Sequence, residues 1–388
     1  MNRLFIFLLL CFIGTKADTQ NASASVTEPR RSTVVGDSLY ALGNYSKAIE
    51  YYKKAEDAEE KIARSYNAIG NTSKALHYYK KALEDSDASL LSQYNYGKLL
   101  FKARNYPKAD SLFRALVDAS PKNPEFLYQL GLIKEKRNDS MYFVHFNHAL
   151  LLDSEHLNAR YKLAKYMAEK RNFNGAMEHV AIGLAANPNS IRFLNLKAII
   201  AFVNKSYHSA SAVYEKLLSL QQSNVQLHEN LAESYRQTNR FEEAIEQYVV
   251  LINEYDDKNP KWHFNIAKNY EALRYLEKAQ HHFEISILLQ DLPLDTSYVA
   301  LASVYKKQKD YQRQFEALQK AVAENPENRE ALYFLATAAD NYYEDDRLVI
   351  SYYQKYLEKF GEQSRYSEFT KARIKDLKTE IHMNKEKQ

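Results

Sequence analysis

Cysteine, glycine, proline and tryptophan are all scarce in this chain of 388 residues. It holds one Cys, nine Gly, eight Pro and one Trp. A single thiol, Cys11, can form neither an intrachain disulfide nor a thiolate metal site, so stability must come from packing. So few turn-forming residues imply few turns and long elements. Charge of one sign is also missing: 53 basic side chains face 49 acidic ones, for a net +4. That balance, with no long run of like charges, argues against the basic footprint that nucleic acid demands. No G-x-S-x-G elbow, no G-x-x-x-x-G-K-[ST] loop and no H-E-x-x-H pair occurs, and each absence removes a class of catalyst.

A long apolar run occurs only at the start, from Leu4 to Gly14, after Arg3 and before Thr15-Lys16-Ala17. It falls short of the roughly 20 residues needed to span a bilayer. The charge, the apolar stretch and the small residue at Ala17 predict a secretory signal peptide over residues 1–17, hence a periplasmic or secreted protein with no transmembrane span. Leu10 before Cys11 is bulky where lipoprotein signals place a small residue. Residues 18–32 are polar and aperiodic, which predicts a flexible leader. Asn21, Asn44, Asn71, Asn138 and Asn204 each open an N-x-[ST] triplet, a pattern that polar helix ends also generate.

Helix formers dominate the rest: Leu, Ala, Lys and Glu, together with 31 Tyr. The phrase NYSKAIEYYKKA, from Asn44, returns from Asn71 as NTSKALHYYKKA. Around it runs a ladder of small residues: Gly36, Ala63, Gly97, Gly131, Ala164, Ala198, Ala232, Ala267, Ala302 and Ala336. After the first step its period is about 34 residues. A second ladder holds Ala48, Ala75, Ala109, Ala176, Ala210, Ala244 and Ala279, with a ring four residues later at Tyr52, Tyr79, Phe113, Tyr214, Tyr248 and Phe283. Antiparallel helices approach closely only where one offers a small side chain to a large one on the other. The two ladders are the predicted crossing points, and the rings fill the space beside them.

Leu231-Ala232, Tyr235, Phe241, Ala244 and Tyr248, and again Ile266-Ala267, Tyr270, Ala279 and Phe283, resemble the tetratricopeptide repeat family, whose helix–turn–helix unit places small and aromatic residues in these slots. The resemblance implies an all-α, right-handed α-solenoid of about ten units over residues 33–364. The segment 365–388 is predicted to be a capping helix and polar tail. Some slots depart from the pattern. Tyr142, Gln314 and Val349 stand where Ala is expected, so those crossings should be looser. The first step lacks seven residues, about two helical turns, which predicts a shortened connection near residues 55–60.

Little chemistry competes with this reading. His145 and His148 are three apart but lack a third ligand, His281 and His282 are adjacent, and Asp345-Asp346 sits at a helix start. No catalytic residue, metal or cofactor is expected. The family likeness implies a protein or peptide partner in a concave groove lined by first helices. Its open positions here are Gln226, Glu229, Asn230 and Glu233, then Lys261, Phe264, Asn265 and Lys268, with Asn95 in register earlier. A column of side-chain amides suits the backbone of an extended peptide. The family's carboxylate clamp, Lys and Asn in one unit and Lys and Arg two units on, is not matched. Two other readings compete with the interaction scaffold. One is a glycan-binding or glycan-processing accessory, using spare tyrosines such as Tyr51, Tyr78 and Tyr161. The other is an enzyme of paired carboxylates in a helical toroid.

Overall fold

The computed structural model describes residues 28–84, 89–290, 294–361 and 363–386. The signal peptide expected over 1–17 lies outside these residues, as does most of the expected leader. Among the described residues all regular structure is helical, an all-α fold of the helical-repeat solenoid class. The described residues divide into two compact units, one up to Ala159 and one from Arg160 onward.

The first unit stacks four hairpins: α1 (Glu28–Ala41) with α2 (Tyr45–Tyr52), α3 (Glu59–Ala68) with α4 (Thr72–Ala82), α5 (Leu90–Lys102) with α6 (Tyr106–Ala119), and α7 (Pro124–Lys136) with α8 (Tyr142–Leu152). The division falls inside α9 (Leu157–Glu169). The second unit continues with α10 (Phe173–Ala186), α11 (Ile191–Val203), α12 (Tyr207–Ser219), α13 (Val225–Gln237), α14 (Phe241–Glu254) and α15 (Pro260–Ala272). It ends with α16 (Leu276–Leu289), α17 (Asp295–Gln308), α18 (Tyr311–Glu324), α19 (Arg329–Tyr342), α20 (Asp346–Phe360) and α21 (Ser367–Glu386). Odd-numbered helices up to α19 are the first helices of the hairpins.

One expectation needs correcting at the start. Helix α1 begins at Glu28, so the end of the leader placed over 18–32 is helical. An acidic residue and Pro29 suit a first turn, where the missing N–H breaks no bond. Ser32 is already buried.

The crossings form where the ladders place them. Every ladder alanine is closed to solvent, Ala302 being the most open at 2 % exposure. At three rungs even a methyl group would not fit. A Cβ added to Gly36, Gly97 or Gly131 would lie 2.5–2.6 Å from a ring atom of Tyr52, Phe113 or Phe146, respectively. The looser crossing expected at the irregular slots is not seen at Val349, which packs into the cluster of Ala336 because the larger side chain fills the space itself. Gln314 is 3 % exposed but borders an open cavity. Tyr142 is half-buried, edge-on to Phe146.

Each of the first nine hairpins turns on one left-handed residue: Gly43, Gly70, Arg104, Asn138, Arg171, Lys205, Asn239, Arg274 and Lys309, with φ between 58° and 80°. The next residue's N–H closes a six-to-one bond onto the first helix, as in Asn44 to Leu39 at 2.8 Å and Asn172 to Met167 at 2.9 Å. Several of these closing residues also cap the second helix: Asn71 Oδ1 accepts from the Lys74 N–H, and Asp310 Oδ1 from the Arg313 N–H. The tenth hairpin differs, with Asp345 capping α20 through the Arg347 and Leu348 N–H groups.

The missing seven residues are not taken from the connection alone. Helix α2 has 8 residues where α4 has 11 and α6 has 14, so the first unit loses the far end of its second helix. At the other end, Ile374 and Leu377 of α21 join the cluster of Val349, Ile350 and Tyr353. Ahead of that helix, Tyr366 stacks on Tyr333 with centroids 4.3 Å apart and planes 3° from parallel.

Candidate functional site

The candidate positions on α13 and α15 are set by two well-capped starts. Asn224 Oδ1 accepts from the Leu227 N–H, and Asn259 Oδ1 from the Lys261 N–H with Pro260 opening the helix. From there the structure brings the two rows together, and much of their polarity is spent between repeats. Glu229 accepts from the Trp262 indole at 2.9 Å and from Lys261 at 3.5 Å. Asn230 accepts from Gln226 and donates to the Tyr214 hydroxyl, at 2.8 and 2.9 Å. Asn265 likewise hydrogen-bonds the Tyr248 hydroxyl, whose pKa burial pushes up. Glu233 takes Arg236 in two contacts and Gln237 in a third. Burial pushes its carboxyl up, but the Arg236 and Gln237 bonds outweigh that and hold it low.

The amide column is therefore a set of struts between one unit's first helix and the previous unit's tyrosine. Gln226, Lys261 and Lys268 remain exposed, and Phe264 is half-buried. Asn95 belongs to the first unit, where it lines a cavity with Tyr79, Lys98 and Gln129. It is not brought to the α13 and α15 residues by anything described.

Phe264 and Lys268 open onto a cavity of about 370 Å³ that counting along the chain did not reveal. Its walls come from the first helices α15, α17 and α19, and its floor from α18. Phe264, Val299, Ala300, Leu318 and Phe334 make it apolar, while Lys268, Glu271, Ser303 and Lys306 edge it. Glu271 is held by Ser303 and Lys307 at 2.7 and 2.8 Å. On the floor lies Gln314, whose Oε1 is buried with no protein partner. The sequence did mark this residue, as an amide in a slot that elsewhere holds alanine.

The other candidates fall into packing. Tyr78 stacks on Tyr66 and Tyr161 stands edge-on to Phe193, so two of the three spare tyrosines are committed. His263 and His282 meet through their Nδ1 atoms at 3.1 Å. Among the described residues no three His, Cys, Asp or Glu side chains gather as metal ligands. No described helix is long and apolar enough to cross a membrane.

Comparison with known proteins agrees with the repeat geometry. Residues 60–124 and 195–257 match one tetratricopeptide repeat model, and residues 33–62 and 295–328 match another. A DnaJ homolog subfamily C member 7 homolog from Dictyostelium discoideum is 26% identical over 212 residues, 50% of this chain and 35% of that protein. The chain thus spans about a third of the length of that relative. Among solved structures, yeast Tom70 is 13% identical over 92% of this chain and 96% of its own, with a TM-score of 0.39. PilW, a type IV pilus biogenesis factor, is 16% identical over 51% of this chain and 92% of its own, with a TM-score of 0.45.

Proposed function

We propose, from the premise that this is a tetratricopeptide repeat protein, that it is an exported scaffold which holds an extended segment of a partner protein on its first-helix face. One observation carries the reading: the open apolar cavity between α15, α17 and α19, bounded by the candidate residues Phe264 and Lys268. Second-helix rings are consumed in the crossings, as the full burial of Phe283 and near-full burial of Tyr248 show. Apolar side chains of the first helices α15, α17 and α19 line that open cavity, and such concave apolar surface marks binding sites. Export rests on the Arg3-to-Ala17 pattern. The scaffold role needs no reacting group. It needs a rigid row of side chains, and the inter-repeat bonds of Glu229, Asn230 and Asn265 supply that rigidity.

A photo-crosslinking residue at Lys268, in the protein's native compartment, should capture a partner chain, and the same residue at Glu277 on α16 should not. Equal capture at both positions removes the face from consideration. N-terminal sequencing of the recovered protein should begin near Asp18; an intact Met1 rejects export.

A further inference from the structure

The cavity's floor is chemically unlike the other helix crossings among the described residues. Seven second helices place alanine in the small slot, all fully buried. In α18 the slot holds Gln314, also buried, with an Oε1 that no protein group reaches. Burying an amide without a partner is costly, so natural interiors rarely keep one. Here the amide lies on the floor of an open cavity whose walls are mainly apolar, with Thr296, Ser303 and Thr337 among them. Above it stand Lys268 and Lys306, both exposed and neither within ion-pairing distance of a carboxylate among the described residues.

We propose that this cavity is a subsite for a tyrosine side chain within an acidic peptide segment of the partner. The inference deepens the scaffold reading and rests on it. A phenol ring matches the walls of Phe264, Val299, Leu318 and Phe334. Its hydroxyl both donates and accepts, so it can pair with the Gln314 amide on the cavity floor, where an aliphatic or phenyl tip cannot. Acidic neighbours of that tyrosine meet the two rim lysines. Glu271 does not repel them fully, since Lys307 and Ser303 already neutralise it.

The experiment titrates the protein with two acetylated peptides, Asp-Asp-Tyr-Asp-Asp and Asp-Asp-Phe-Asp-Asp, which differ by one hydroxyl. The tyrosine peptide should bind about tenfold more tightly, the scale of one buried hydrogen bond. Gln314→Met keeps volume and removes the amide, and should bring the ratio to one while melting at or above the parent temperature. Gln314→Ala, the slot's usual residue, serves as a second variant. Lys268→Gln with Lys306→Gln should weaken both peptides and flatten the salt dependence. Equal affinities for the parent protein, no binding of either peptide, or a ratio that survives Gln314→Met overturns the tyrosine subsite. Partner capture at Lys268 alongside any of these results leaves the scaffold reading standing.

Discussion

Gly97 and Phe113 are in such close contact that a Cβ on the glycine would lie 2.6 Å from the ring's Cε2. They sit sixteen residues apart on α5 and α6. The same face-to-ring relation ties Gly36 to Tyr52 and Gly131 to Phe146. Where the rung is alanine, the hairpin must already stand wide enough for the methyl group.

Gly97→Ala is therefore expected to destabilise the first unit by roughly 1–3 kcal/mol, the usual cost of overpacking. Thermal melting measures it. Gly97→Ala with Phe113→Leu should cost less than the two single changes summed, because the smaller side chain gives way. Strict additivity would deny the contact its role.

The left-handed turn residues make a second test. Arg171 at φ 59° and Lys205 at φ 58° hold a conformation that costs side-chain-bearing residues about 1 kcal/mol and glycine almost nothing. Arg171→Gly and Lys205→Gly should each raise stability by about 0.5–1 kcal/mol. A lowered melting temperature in both would mean that these side chains make contacts worth more than the strain.

Acid should act locally and in opposite senses. Burial, then the charges of His263 and His281, push His282 down to about 4, with the Tyr270 ring also against it. The fold prefers its neutral form, so its contribution is whole above about 6.5 and fades as pH falls toward 4. Burial pushes Glu125 up, but bonds from His156, Gln129 and Tyr94 bring it down to about 2. Its contribution is whole above about 4.5 and is lost only below that. The bond to Glu125 raises His156, so that part is whole below about 6.5 and lost as pH rises through the raised value. Between pH 7.5 and 5, amide protection, taken relative to the intrinsic exchange rate at each pH, should fall in α15–α16 and not around α7. The α15–α16 response should flatten in His282→Gln. An unchanged response in that variant would assign it elsewhere.

The C-terminal helix should behave as a cover. Arg373 grips Asp340 through two bonds, at 2.8 and 3.0 Å, and Tyr353 donates to the same carboxylate. Arg373→Ala is expected to cost about 1–2 kcal/mol, less than a fully buried pair because the guanidinium is part-exposed. Deleting residues from 366 onward uncovers Tyr353 and Tyr356, each worth about 1.5–3 kcal/mol of burial. Earlier melting of α19–α20 or aggregation is the expected result; unchanged melting would reduce the helix to a tail.

The repeat was legible because small and aromatic side chains recur at fixed spacing, and Ala232, Ala244 and Tyr248 say directly which faces meet. The turns were half legible. Gly43 and Gly70 announce a left-handed residue, whereas Arg104, Lys205 and Arg274 occupy the same backbone state with no mark in composition. Counting placed Glu229, Asn230 and Asn265 on one face, but not their partners Trp262, Tyr214 and Tyr248. Those bonds run between repeats, and a hydrogen bond between repeats leaves no periodic trace. Gln314 was visible only as an irregularity, since a single amide acquires meaning from the walls around it.

Helix α2 shows what the hairpin design permits. The six-to-one closure from Asn44 to Leu39 sets the turn, and Gly36 against Tyr52, the last residue of α2, sets the crossing. Neither the hinge nor the crossing depends on how far the second helix runs beyond Tyr52. A deletion of whole helical turns there leaves each hinge and each seat of a ring unmoved. Such a chain can be shortened or lengthened in coarse steps, as a rack accepts shelves of different depth on the same pegs. The first repeat has already used that latitude.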